Sequence, residues 1–160
     1  MWTKALSKIF GDWELSYDNL PQYLDAIKKS NPGTITYLKV EPYALEYGSI
    51  VPNIVWFGRI FWAFGTSIEG FPSYHLLLSI DDMHICEKYI GCLLIVTGVD
   101  ADGGLYSLAF VFVKSESENS WRWFLQFIYN LIPSVHNNWT ITLISDRMKE
   151  LPKALTNAWP

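Results

Sequence analysis

The chain has 160 residues, of which 50% are hydrophobic, 18% charged and 16% aromatic, and its formal net charge is −4. A chain this long buries a core without disulfide or metal staples, and eight Trp, nine Tyr and nine Phe exclude disorder. Two cysteines exclude a secreted disulfide framework, and the acidic balance excludes a domain that grips nucleic acid by bulk electrostatics alone.

The first ten residues carry two lysines and a broken apolar pattern, not the continuous apolar run of a signal peptide. Trp2, Ala5, Leu6, Ile9 and Phe10 fit one face of a short helix. Leu20, Tyr23, Leu24 and Ile27 fit a second, with Pro21 in its first turn and Lys28 and Lys29 in its last. Ser30-Asn31-Pro32-Gly33 is a breaker cluster and a soft boundary. Residues 34–40 and 53–64 are then rich in β-branched and aromatic side chains, and they predict a hairpin across a loop holding Glu46, Tyr47 and Gly48. The apolar window from Ile54 to Phe64 is short and contains Arg59, so it cannot span a bilayer. A soluble intracellular chain with no membrane partner is expected. Residues 65–74, with Gly70 and Pro72, read as a connection.

From His75 the order of elements becomes informative. Residues 75–85, 91–99 and 105–113 read as three strands, with Asp100-Ala101-Asp102-Gly103-Gly104 as a tight turn between the last two. Several N-cap candidates follow, with Ser115 and Glu118 at capping-box spacing. Trp121, Phe124, Leu125, Ile128 and Leu131 then repeat at helical spacing until Pro133. Trp121, Trp123, Phe124 and Phe127 surround that helix widely, which favours packing on more than one side over base stacking. Residues 139–145 predict a fourth strand, and a helix starts near Lys149. The order β-β-β-α-β-α allows the crossover helix to return the fourth strand parallel to the first.

That return would bring two acids together, since Asp81 follows the apolar start of the first strand and Asp146 follows the apolar run of the fourth. Neighbouring strands are about 4.8 Å apart, so carboxylates at matching heights can share a divalent ion. Paired carboxylates holding Mg²⁺ suit phosphodiester cleavage, although two ligands make an incomplete site. An Asp ending a strand also caps turns, and Asp146 equally suits an N-cap for the helix near Lys149. Side chains alternate along a strand, so only one of Asp81 and Asp82 can face Asp146. His84, Cys86 and Cys92 cluster in sequence, but H-x-C-x₅-C is not a usual zinc spacing and reads as core or edge cysteines.

The run Ile80-Asp81-Asp82-Met83-His84-Ile85, the pair Lys88-Tyr89 and GCLLIVTGVDADGGLYSLAFVFV together resemble the catalytic core of plant Mutator-like element (MULE) transposases. That family's first strand reads approximately IDGTHL. The stretch from Glu116 to Leu125 is similar to its "E…SW.WF" helix start, and Leu143-Ile144-Ser145-Asp146-Arg147 to its "ISDRHKG" signature. Upstream, KIFGDWELSYDNLPQYLDAIKKSNPGT and FWAFGTSIEGF resemble the segment preceding this domain.

The resemblance implies an α/β (α+β) RNase H-like mixed sheet in residues 71–160, C-terminally truncated and preceded by a helical and hairpin leader in residues 1–70. It implies a DDE-type site in which Asp81 and Asp146 ligate Mg²⁺ or Mn²⁺ for DNA strand cleavage and transfer, and a nuclear location. Asp82 stands where the family has Gly, Met83 replaces Thr and Met148 replaces His. The family's third acid, a downstream Glu, has no counterpart, and Glu150 is too close to Asp146 to serve. The expectation is therefore an inactive fragment with weak or no DNA binding of its own. The alternative is a domesticated, non-enzymatic DNA-binding or protein-interaction module.

Overall fold

Alternating apolar positions in the strand segments leave each with one face to bury, and one sheet collects them all. The computed structural model describes residues 13–73, 75–85, 90–132, 140–146 and 149–158. Its strands are β1 (Ile35–Ala44), β2 (Ile50–Ala63), β3 (His75–Ile85), β4 (Gly91–Val99), β5 (Leu105–Val113) and β6 (Thr142–Ser145). They form a six-stranded sheet in the order β1-β2-β5-β4-β3-β6. Every pairing is antiparallel except β3 with β6, which run parallel. The helices are α1 (Trp13–Asp18), α2 (Leu20–Ser30), α3 (Gly65–Gly70), α4 (Glu118–Leu131) and α5 (Leu151–Ala158).

The hairpin and the three-strand meander lie where their patterns place them, and α2 has Pro21 in its first turn and two lysines in its last. The turn from β4 to β5 closes because Asp100 Oδ1 accepts from the backbone N–H groups of Asp102 (3.0 Å) and Gly104 (2.6 Å), while Gly103 takes a φ of +83°. Four local expectations need adjustment. The hairpin strands run beyond Pro42 and Pro52, which lie in the arm past the β2–β5 pairing, where the register of the two strands is irregular. Residues 65–73 form α3 and a 3₁₀ turn (Phe71–Ser73), not an open connection, since Phe71 is anchored in the core. The cap of α4 is Ser117, whose Oγ accepts from Ser120 N at 3.1 Å, while Ser115 offers its carbonyl to Ser120 Oγ at 3.0 Å. The fourth strand is only Thr142–Ser145. The helix expected around Trp2–Phe10 lies outside the described residues, as do Tyr74 and Trp139.

One face of the sheet is covered by α4 and α5. Phe61, Leu78, Ile80, Leu94, Val96 and Val111 on the strands are buried with Trp121, Phe124, Leu125 and Ile128 of α4 and Leu151 and Ala154 of α5. Burying each large apolar side chain stabilises the fold by roughly 1.5–3 kcal/mol, so this layer is its main support. The hairpin joins the sheet through β2, where Arg59–Trp62 pair with Phe110–Val113 of β5. Its far end projects beyond that pairing and keeps Tyr47, Ile50, Val55 and Trp56 exposed.

The breaker cluster after α2 closes against the end of β2. Gly65 N donates to the buried Thr34 Oγ1 at 3.2 Å, and a Cβ on Gly65 would collide with the Pro32 carbonyl and the Gly33 backbone. Two backbones meet there with no room for a methyl group. Gly65→Ala is expected to destabilise the protein by about 2 kcal/mol or more, read from urea unfolding midpoints. Ser117→Ala, which removes the cap of α4, costs about 1 kcal/mol in the same measurement.

Candidate functional site

β3 carries most of the chemistry-bearing side chains, and its alternation sorts them onto two faces. Leu78 and Ile80 point into the core, so Asp82 and His84 share that helix-covered face, and Ser79, Asp81 and Met83 occupy the other. The register agrees, since Asp82 stands opposite Leu94 and His84 opposite Cys92, whereas Asp81 stands opposite Ile95.

On the far side of β3 the parallel partner β6 pairs Leu78 with Leu143, Ser79 with Ile144 and Ile80 with Ser145. Asp81 and Asp146 are the next residue on each chain, both exposed, and so follow one another's height at the end of the ladder. Asp81 Oδ1 accepts from the Asp82 backbone N–H at 2.9 Å, leaving Oδ2 to face solvent or a cation. α5 begins at Leu151, which leaves Asp146 outside its first turn. Two exposed carboxylates are hard oxygen donors of the kind that suits Mg²⁺ or Mn²⁺.

The covered face holds a different set. Cys92 is wholly buried, and its thiol donates to Asp82 Oδ2 at 3.6 Å. His84 Nε2 lies 3.5 Å from the same oxygen. Nearby, Glu116 Oε1 accepts from the Trp121 indole N–H at 3.0 Å, which ties the loop before α4 to the helix. Burial, then the charge of Asp82 and its hydrogen bond, with a contribution from Glu116, push the Cys92 thiol from its usual 9.0 up to about 12, against a smaller opposing effect of the Met83 backbone. Sequence reading missed this convergence because it grouped Cys92 with Cys86 by spacing. Cys86 falls outside the described residues. The signal that would have found the cluster is the hairpin register, which pairs His84 with Cys92 across two strands. The four aromatic side chains at Trp121, Trp123, Phe124 and Phe127 divide as packing required: Trp121 and Phe124 are buried, while Phe127 stacks on Phe61 with centroids 4.5 Å apart and Trp123 carries the Arg59 guanidinium 5.0 Å above its ring.

The described residues form a mixed α/β sheet of six strands with one parallel strand pair. Residues 77–160 match a family described as the MULE transposase domain, and the chain belongs to that family. No curated protein and no solved structure matches it.

The perturbed thiol fixes a pH dependence. Between about 9 and 12 the folded, metal-free protein holds a proton on Cys92 that the unfolded chain has lost, so stability declines as pH rises through that window. The expected slope is roughly 1 kcal/mol per pH unit in chelator-containing buffer, and it should vanish in Cys92→Ala.

Proposed function

We propose that this chain forms the strand-and-crossover part of an RNase H-like, DDE-type transposase domain, in which Asp81 and Asp146 hold Mg²⁺ or Mn²⁺ for DNA strand cleavage and transfer. What supports this reading is the family membership together with one observation. The parallel pairing of β6 with β3 runs to Ile80 and Ser145, and Asp81 and Asp146 are the residues that follow on the two strands. The β-β-β-α-β order of β3, β4, β5, α4 and β6 is the arrangement such a domain needs. Residues 71–160 would then be the catalytic part and residues 1–70 its leader, at work in a plant nucleus.

Divalent ions at such a pair activate a water or a 3′-hydroxyl and stabilise the leaving oxygen of the phosphodiester. The chain's own contribution is to fix two carboxylates on adjacent strands and leave their face open to a substrate. Among the described residues no third carboxylate joins them. Glu116 is bonded to Trp121, and Glu150 sits at the start of α5 with its carbonyl accepting from Ala154 N at 3.2 Å. Residues 1–160 are therefore expected to bind a divalent ion weakly and to leave DNA uncut. With a net charge of −4 they should also bind DNA poorly at physiological salt.

The test is Mn²⁺ binding followed by electron paramagnetic resonance, alongside a nicking assay on duplex DNA. Asp81→Asn and Asp146→Asn should each weaken Mn²⁺ binding about tenfold or more, and unchanged affinity in both sinks the assignment. Metal-dependent nicking by residues 1–160, lost in Asp146→Asn, would overturn the inactive reading while upholding the ligands.

A second reading, a non-enzymatic protein-interaction module, has the hairpin arm in its favour. Tyr47 is 95% and Trp56 56% exposed there, with Ile50 and Val55 alongside.

A further inference from the structure

We propose that Asp82, His84 and Cys92 form a binding site for a borderline-soft divalent metal of the Zn²⁺ class, on the helix-covered face of the sheet and separate from Asp81 and Asp146. The three ligands come from two adjacent strands in fixed register, His84 directly opposite Cys92 and Asp82 two positions back on the same face. Their oxygen, nitrogen and sulfur donor atoms all lie within 4.8 Å of one another.

The spacing carries the argument further than the composition. In a tetrahedral zinc site, metal–ligand distances of about 2.0–2.3 Å place donor atoms roughly 3.3–3.6 Å apart. Asp82 Oδ2 lies 3.5 Å from His84 Nε2 and 3.6 Å from Cys92 Sγ, so two of the three edges already have that length. The third, between His84 and Cys92, is no longer than 4.8 Å, and rotation of the exposed His84 side chain would shorten it.

The donor set also selects the metal. A thiolate and an imidazole favour Zn²⁺ or Co²⁺ over Mg²⁺, and a single carboxylate balances part of the charge. Asp82, only 14% exposed, packs a carboxylate against a buried thiol, with the charge of Glu116 also acting on that sulfur. A bound cation would offset this concentration of negative charge. Binding forms the metal–sulfur bond and breaks the Cys92 S–H bond, and the proton passes to the buffer. Three protein ligands leave the fourth position to a water entering beside His84.

Residues 1–160, stripped with chelator, should be titrated with Co²⁺ as a spectroscopic substitute for Zn²⁺. The expected result is one tightly bound ion per chain, a thiolate-to-cobalt charge-transfer band, and loss of that band when Zn²⁺ displaces Co²⁺. Cys92→Ser should abolish the band, and His84→Ala should weaken binding about 10–100-fold. Cys86→Ser, Asp81→Asn and Asp146→Asn should leave it intact. Absence of a thiolate band at saturating Co²⁺, its survival in Cys92→Ser, or its loss in Asp146→Asn overturns the proposal. Should Cys92→Ser fail to fold, the exposed His84 decides alone, and unchanged affinity in His84→Ala is equally fatal.

Discussion

The arrangement depends on the burial of α4 against the sheet. Trp121, Phe124, Leu125 and Ile128 lie on a helix that has to leave the end of β5, cross the sheet and deliver the chain back toward β3. A crossover of this kind keeps its course only if its apolar face is fully covered, because four exposed large side chains would forfeit several kcal/mol. The N-cap at Ser117 and the bond from Trp121 to Glu116 set the helix's entry angle, and α5 then packs beside it through Leu151 and Ala154. β6 contributes only Thr142–Ser145 and is too short to hold its own place. It is held beside β3, pairing in parallel with Leu77–Ile80.

The part of the chain before the matched family region shares in the same support. Tyr37 of β1 packs against Trp123 and Phe127, Phe61 of β2 stacks on Phe127, and Arg59 covers Trp123. These contacts cover the flank of α4 that β3, β4 and β5 do not reach. The hairpin thus extends the sheet and completes the shelter of the crossover helix. The tight meeting of Gly33 with Gly65 fixes where α2 ends relative to that hairpin.

Much of this was legible because strand and helix periods are strong signals when apolar residues are plentiful. The meander from His75 to Val113, the crossover helix and the hairpin follow from patterning and turn chemistry alone. Pro42 and Pro52 hid the true length of the hairpin strands, since their tolerance depends on where the strands sit in the sheet, which sequence does not state. The α3 turn was hidden for a similar reason, Phe71 being apolar in a polar stretch and finding its partners only in three dimensions. The parallel placement of β6 beside β3 could be read in advance because a crossover rule relates those strands. The grouping of Asp82, His84 and Cys92 could not, because it rests on the hairpin register and not on spacing along the chain.

That register also decides which aspartate does what. Asp81 and Asp82 are consecutive carboxylates, and nothing in their chemistry distinguishes them. The distinction comes from Leu78 and Ile80, which are buried and therefore commit every even-numbered position nearby to the helix-covered face. A slip of one residue would exchange the two carboxylates and expose both apolar side chains, so the core enforces the assignment. The two faces then offer unlike surroundings: open water for Asp81, a buried thiol and an exposed imidazole for Asp82. Under the two proposals a hard cation would suit the first and a softer one the second, and the strand between them would keep their ligands from being shared.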